Sequence, residues 1–170
     1  MENGIAQIAV FAAFLYSVVL HEVAHGYVAE QKGDSTARYA GRLTLNPIRH
    51  LDPVGSFLLP LVMFFTGGPI FGWAKPVPYN PNLMRDRRWD PLKVMAAGPG
   101  TNIALAIVVG VFLRLLLATG VAPAIMVQIL AMVVYLNLIL AVFNLIPIPP
   151  FDGRFLLGLF SPVLMFRAEI

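Results

Sequence analysis

The chain contains no cysteine and only three histidines, His21, His25 and His50. Disulfides and thiolate metal sites are therefore excluded, and a bound metal would have to be held by imidazoles and carboxylates. Charge is scarce too. Only 12% of the 170 residues are Asp, Glu, Lys or Arg, against about 25% in a soluble domain. The hydrophobic share is 58% and the mean hydropathy +0.77. These values describe an integral membrane protein, and the length suits one membrane-embedded domain over residues 1–170. A net charge of +3 offers no nucleic-acid surface. The first apolar run lacks a basic leader and a small-residue cleavage site, so it does not read as a cleaved signal.

The long apolar runs give an all-α polytopic fold. Ile5 to Leu20, continued through "HEVAHGYVAE", makes a helix of about 26 residues and roughly 39 Å, enough to span a bilayer. Pro91–Ala118 and Ala124–Ile146 are two further spans. Val54–Trp73 is apolar but broken by Pro60 and "TGGP". It reads as a re-entrant hairpin turning at Gly67-Gly68. The tail after Gly153 reads as a short C-terminal helix, and "ARYAGRLTLNP" (37–47) alternates like a short strand. Of the twelve basic residues only Arg114 lies near "TGVAP"; the others sit in residues 32–49, 75–93 and the tail. The positive-inside rule places those loops in the cytoplasm, with "TGVAP" outside. Residues 49 and 75 then share a side, which is why Val54–Trp73 is expected to enter and leave on one face.

His21-Glu22-Val23-Ala24-His25 is H-E-x-x-H on a helix. Residues four apart share a face, so both imidazoles can bind one metal, and the glutamate can activate water. A pair of interfacial histidines is the plain alternative, but ionisable groups in a span are costly and usually functional. A catalytic zinc usually takes a third protein ligand. His50, Asp52 and Asp152 are candidates. Asp152 follows the last span and matches the depth of His21 and His25, which lie toward the cytoplasmic end of their helix. Asp152-Gly153 could equally be an ordinary turn, and His50 an ordinary loop residue beside Asp52.

The set resembles the site-2 protease family of intramembrane zinc metalloproteases, in its short branch without PDZ or CBS domains. The residues that carry the resemblance are H-E-x-x-H at 21–25 and N-x-x-P-x-x-x-x-D-G from Asn144 and Pro147 to Asp152-Gly153. "AAGPGTN" (96–102) is similar to the family's G-P-x-x-N, and "NPIRHLDPVG" (46–55) to an element of its short branch. The resemblance implies one zinc ion per chain on His21, His25 and Asp152, with Glu22 activating water. It implies that Asn144 polarises the substrate carbonyl or holds its backbone. The implied partners are a transmembrane protein substrate and the lipid bilayer; the cell membrane is the expected location, and the charge placement above puts the active site toward the cytoplasm. Asn144 and Asn137 could instead make helix–helix hydrogen bonds. Gly98, Pro99 and Gly100 read as close helix packing, and Asn102 as a packing residue or a donor behind the ligands. The rival class is a metal-binding transporter or non-catalytic scaffold. Glu22 beside the ligands argues against it.

Overall fold

A computed structural model describes residues 2–67, 74–148 and 151–154. Among the described residues five α-helices run in chain order: α1 (Glu2–Gln31), α2 (Thr36–Tyr39), α3 (Leu59–Thr66), α4 (Asp90–Ala118) and α5 (Ala124–Asn144). α1, α4 and α5 are long and apolar enough to cross a membrane. α4 is the central element, packing against both α1 and α5 more extensively than these pack on each other.

The bundle is built for lipid. Large apolar side chains such as Ile8, Phe11, Val108, Phe112 and Leu115 face outward. The interior is made of small or polar residues. On α1 the buried stripe is Ser17, His21, His25 and Ala29, each four residues from the next. On α4 it is Val94, Gly98, Asn102 and Ala106, and on α5 Asn137 and Ala141. Lipid gives no hydrophobic force between helices. Close approach through small residues and interhelical hydrogen bonds hold them together instead.

α1 ends at Gly33, whose φ of 106° only glycine adopts readily. Fully buried Asp34 then gathers the loop: its carboxylate accepts Thr36 N–H and the Thr36 hydroxyl, and also Asn80 N–H. The strand expected over 37–47 is absent. That stretch holds α2, a turn at Gly41 and the start of a 3₁₀ turn, Pro47–His50. The neighbouring extended run, residues 75–79, explains why. It carries Pro76 and Pro78, and its Lys75 and Pro76 carbonyls are taken by the Arg42 guanidinium. No open edge is left for a strand to pair with.

Extended pairing occurs instead at one antiparallel bridge, Leu51 with Ala74, where Lys75 N–H donates to His50 C=O at 2.9 Å. Between these partners the chain makes a π-helical turn, Pro53–Leu58, and then α3, which ends on left-handed Gly67 (φ 69°). Leu51 and Ala74, on either side of segment 52–73, therefore lie next to each other. Gly68 of the turn expected at Gly67-Gly68, and the expected C-terminal helix, lie outside the described residues.

Candidate metal centre

His21 and His25 sit one helical turn apart on the buried stripe of α1. Their Nε2 atoms are 3.1 Å apart, and their rings meet nearly edge to face. Asp152 reaches them from a 3₁₀ turn beyond α5. Its Oδ2 lies 2.9 Å from His21 Nε2 and 3.2 Å from His25 Nε2. Gly153 makes that approach possible: a Cβ there would overlap the backbone of Leu145 and Ile146 at the end of α5. Gly98 plays the same part on the other wall, because a Cβ at 98 would overlap both imidazoles.

Hydrogen bonds behind the rings decide which nitrogen faces the cluster. His25 Nδ1 lies 2.7 Å from the Val94 carbonyl, which can only accept, so Nδ1 carries the proton. Pro99 lies in the same stretch of α4. It has no N–H to donate to the Met95 carbonyl. His21 Nδ1 lies 2.5 Å from Asn102 Oδ1. With both imidazoles neutral, two nitrogen lone pairs and a carboxylate oxygen converge. Such a set requires a cation among them, either a proton or a metal. Burial pushes the Asp152 carboxyl up, but hydrogen bonds from the two imidazoles, and their charge when they are protonated, outweigh it and hold the group well below the usual carboxylate range.

The three residues fit zinc. Nitrogen and oxygen ligands about 2.0–2.2 Å from a tetrahedral ion are separated by about 3.3 Å. The observed 2.9, 3.1 and 3.2 Å are contracted by a few tenths of an ångström. Among the described residues no other group of histidines and carboxylates converges in this way.

Glu22 is held by a strap. Its Oε2 accepts the Val77 N–H at 2.8 Å. Val77 lies between Pro76 and Pro78, so it has the sole amide hydrogen of that tripeptide. Arg42 clamps the Lys75 and Pro76 carbonyls from behind. Burial pushes the Arg42 guanidinium down, and the Glu22 charge offsets part of that.

The other sequence candidates lie elsewhere. His50 is buried with Nε2 on the Thr44 carbonyl at 2.9 Å, so it staples its own loop. Asp52 caps the turn beginning at Pro53, accepting from Val54 and Gly55 N–H. Asn144, on the last turn of α5, donates to the Leu140 carbonyl of its own helix. Asn102 stands directly behind His21. Arg42 and Val77 carried no sequence signal of a role at the site, although the P-V-P pattern marks Val77 as an isolated donor. Ser17 could have been found by its four-residue spacing from His21.

The chain is similar to known proteins. Residues 9–126 match peptidase family M50. That stretch includes His21, Glu22, His25 and Asn102 but stops short of Asn137, Asn144 and Asp152. "Putative zinc metalloprotease YwhC" of Bacillus subtilis is 40% identical over 150 residues, covering 82% of this chain and 63% of that protein. "Putative zinc metalloprotease Rip2" of Mycobacterium tuberculosis is 34% identical over 146 residues, covering 86% of this chain and 54% of that protein. The chain thus spans between about half and two thirds of the length of these relatives. No solved structure matches significantly.

Proposed function

The chain belongs to peptidase family M50, the site-2 protease family, and from that premise we propose that it is a zinc metalloendopeptidase hydrolysing peptide bonds within or near membrane-spanning segments of other proteins. The observation that carries the reading is the convergence of His21, His25 and Asp152 inside a lipid-type bundle, with Glu22 one residue from the first imidazole. One ion per chain would be held by those three residues. Zn²⁺ supplies Lewis acidity, polarising a carbonyl and acidifying water.

The protein's own groups do the rest. Glu22 takes a proton from the attacking water and passes it to the leaving amine. The Val77 N–H occupies one carboxylate oxygen and leaves the other for that proton. Asn144 turns its amide from the Leu140 carbonyl toward the substrate backbone. A substrate helix keeps its carbonyls in internal hydrogen bonds, so it must unwind locally before it is cut. The extended 75–79 run lies beside Glu22 and can border the unwound backbone, although its prolines and clamped carbonyls leave it no strand edge to pair.

The same reading makes the chain a multi-pass protein with its site toward the cytoplasm. Two features support the topology: the basic loops at 32–49 and 75–93, and the pairing of Leu51 with Ala74.

Glu22→Gln tests the function. The change is nearly isosteric and spares the three ligands. Zinc content should stay at one per chain, while cleavage of a single-span substrate in detergent falls by about 10²–10⁴-fold. Full zinc with undiminished cleavage would remove Glu22 from the mechanism.

A further inference from the structure

Behind His21 runs a buried line of hydrogen bonds that crosses all three long helices. His21 Nδ1 meets Asn102 Oδ1 at 2.5 Å, Asn102 Nδ2 donates to Asn137 Oδ1 at 2.9 Å, and Asn137 Nδ2 donates to both Ser17 Oγ and the Val133 carbonyl at 2.9 Å. Ser17 Oγ–H in turn donates to the Ala13 carbonyl at 2.8 Å. Asn102 and Asn137 are completely buried.

The line has a direction. The Val133 and Ala13 carbonyls can only accept. The first forces Asn137 to present its NH₂ on that side. The second uses the Ser17 proton, so Ser17 must accept from the same NH₂. Asn137 therefore turns its carbonyl oxygen to α4. Asn102 must answer with its own NH₂ and turn its oxygen to His21. His21 is left with the proton on Nδ1 and the lone pair on Nε2, the atom in the cluster. An isolated asparagine behind a histidine can flip and impose the opposite tautomer, which would put a hydrogen on Nε2 where the ion must bind.

We propose that Asn137 is a positioning residue for the metal centre: from α5 it fixes the orientation of the Asn102 amide and thereby the tautomer of His21. The inference rests on the zinc reading above. It assigns Asn137, two hydrogen bonds from the cluster, a role in metal affinity rather than in helix association alone.

The test is zinc affinity, measured by chelator competition in detergent, for wild type, Asn137→Leu, Asn102→Asp and the double variant. Asn137→Leu frees Asn102 to flip and should weaken zinc by about 10–100-fold, the usual effect of losing a partner behind a ligating histidine. An aspartate at 102 offers oxygen in either orientation. Asn102→Asp loses the donor to Asn137 Oδ1 but keeps an acceptor on His21, so it should hold zinc more tightly than Asn137→Leu, and in its background Asn137→Leu should cost little. That rescue separates orientation from packing, since a merely structural Asn137 would be missed equally in both backgrounds. Unchanged affinity in Asn137→Leu, or a double variant as weak as Asn137→Leu alone, overturns the proposal. Should the leucine variant not fold, ¹⁵N shifts of His21 in metal-stripped wild type at mildly alkaline pH decide it. Protonated Nδ1 is the expected result and protonated Nε2 the refuting one. A wild type that binds no zinc would sink the metal reading, while the NMR result would still stand or fall separately.

Discussion

Gly98→Ala is the smallest change that separates the site from the helix carrying it. Elsewhere in an exposed helix interior, alanine for glycine stabilises by roughly 0.5–1 kcal/mol, because glycine loses more backbone freedom on folding. At 98 the added methyl carbon would stand 2.5 Å from His21 Nε2 and 2.6 Å from its Cε1, and in similar overlap with His25 Nε2. Ordinary contact begins near 3.4 Å, so the rings must retreat by about 0.9 Å or α4 must move away from α1. Overpacking of this kind costs about 1–3 kcal/mol, which more than offsets the helix gain. A misplacement near 1 Å can cost about 10²-fold in rate. Gly100→Ala is the control, for nothing lies within 4 Å of a Cβ there. Gly98→Ala should fold and insert, yet lose most of its zinc and about 10²-fold or more of its cleavage. Gly100→Ala should keep both. Zinc content, thermal unfolding in detergent and cleavage on the same preparations give the answer. Wild-type zinc and activity in Gly98→Ala would show that α4 does not form the tight wall described here.

Asp152→Ala should strip the metal, whereas His50→Ala should keep it and lose thermal stability through the freed Thr44 carbonyl; metal analysis with a melting curve distinguishes them. Val77→Pro keeps an extended backbone between two prolines but deletes the one amide hydrogen on Glu22. Zinc should remain while turnover falls about tenfold, corresponding to about 1.4 kcal/mol, at the low end for a hydrogen bond to a charged group; unchanged turnover would free Glu22 from the strap. Single cysteines at Ser35 and Asn82 should react with an impermeant thiol reagent from one side of the membrane, and one at Gly120 from the other. Opposite labelling of the first two would turn the hairpin into a true span.

The spans were legible because lipid demands long apolar helices, and composition alone reveals those. The H-E-x-x-H pair was legible because its spacing is local: four residues put two imidazoles on one face. Asp152 needed more, a depth match and a resemblance, since no periodicity connects residue 21 to residue 152. The strand over 37–47 failed for a non-local reason. Alternation marks a chain that could pair, but the neighbouring extended run carries two prolines and has its Lys75 and Pro76 carbonyls taken by Arg42. The line from Asn137 to His21 was visible only in pieces. Asn102 and Asn137 each read as a polar residue in a helix. Their common direction is set by the backbone carbonyls of Val133 and Ala13, which sequence does not display.

The cluster joins side chains that the ribosome makes far apart in time. His25 and Asp152 are separated by 127 residues, and at about 5–20 residues per second that is an interval of about 6–25 s. During it the nascent chain holds both imidazoles without their carboxylate, and for much of it without the two asparagines behind His21. The cluster cannot be complete until the last of these residues has been added. On the proposed reading, such a centre could not cut anything while α4 and α5 were still being threaded into the bilayer, and order of synthesis alone would keep it silent until then.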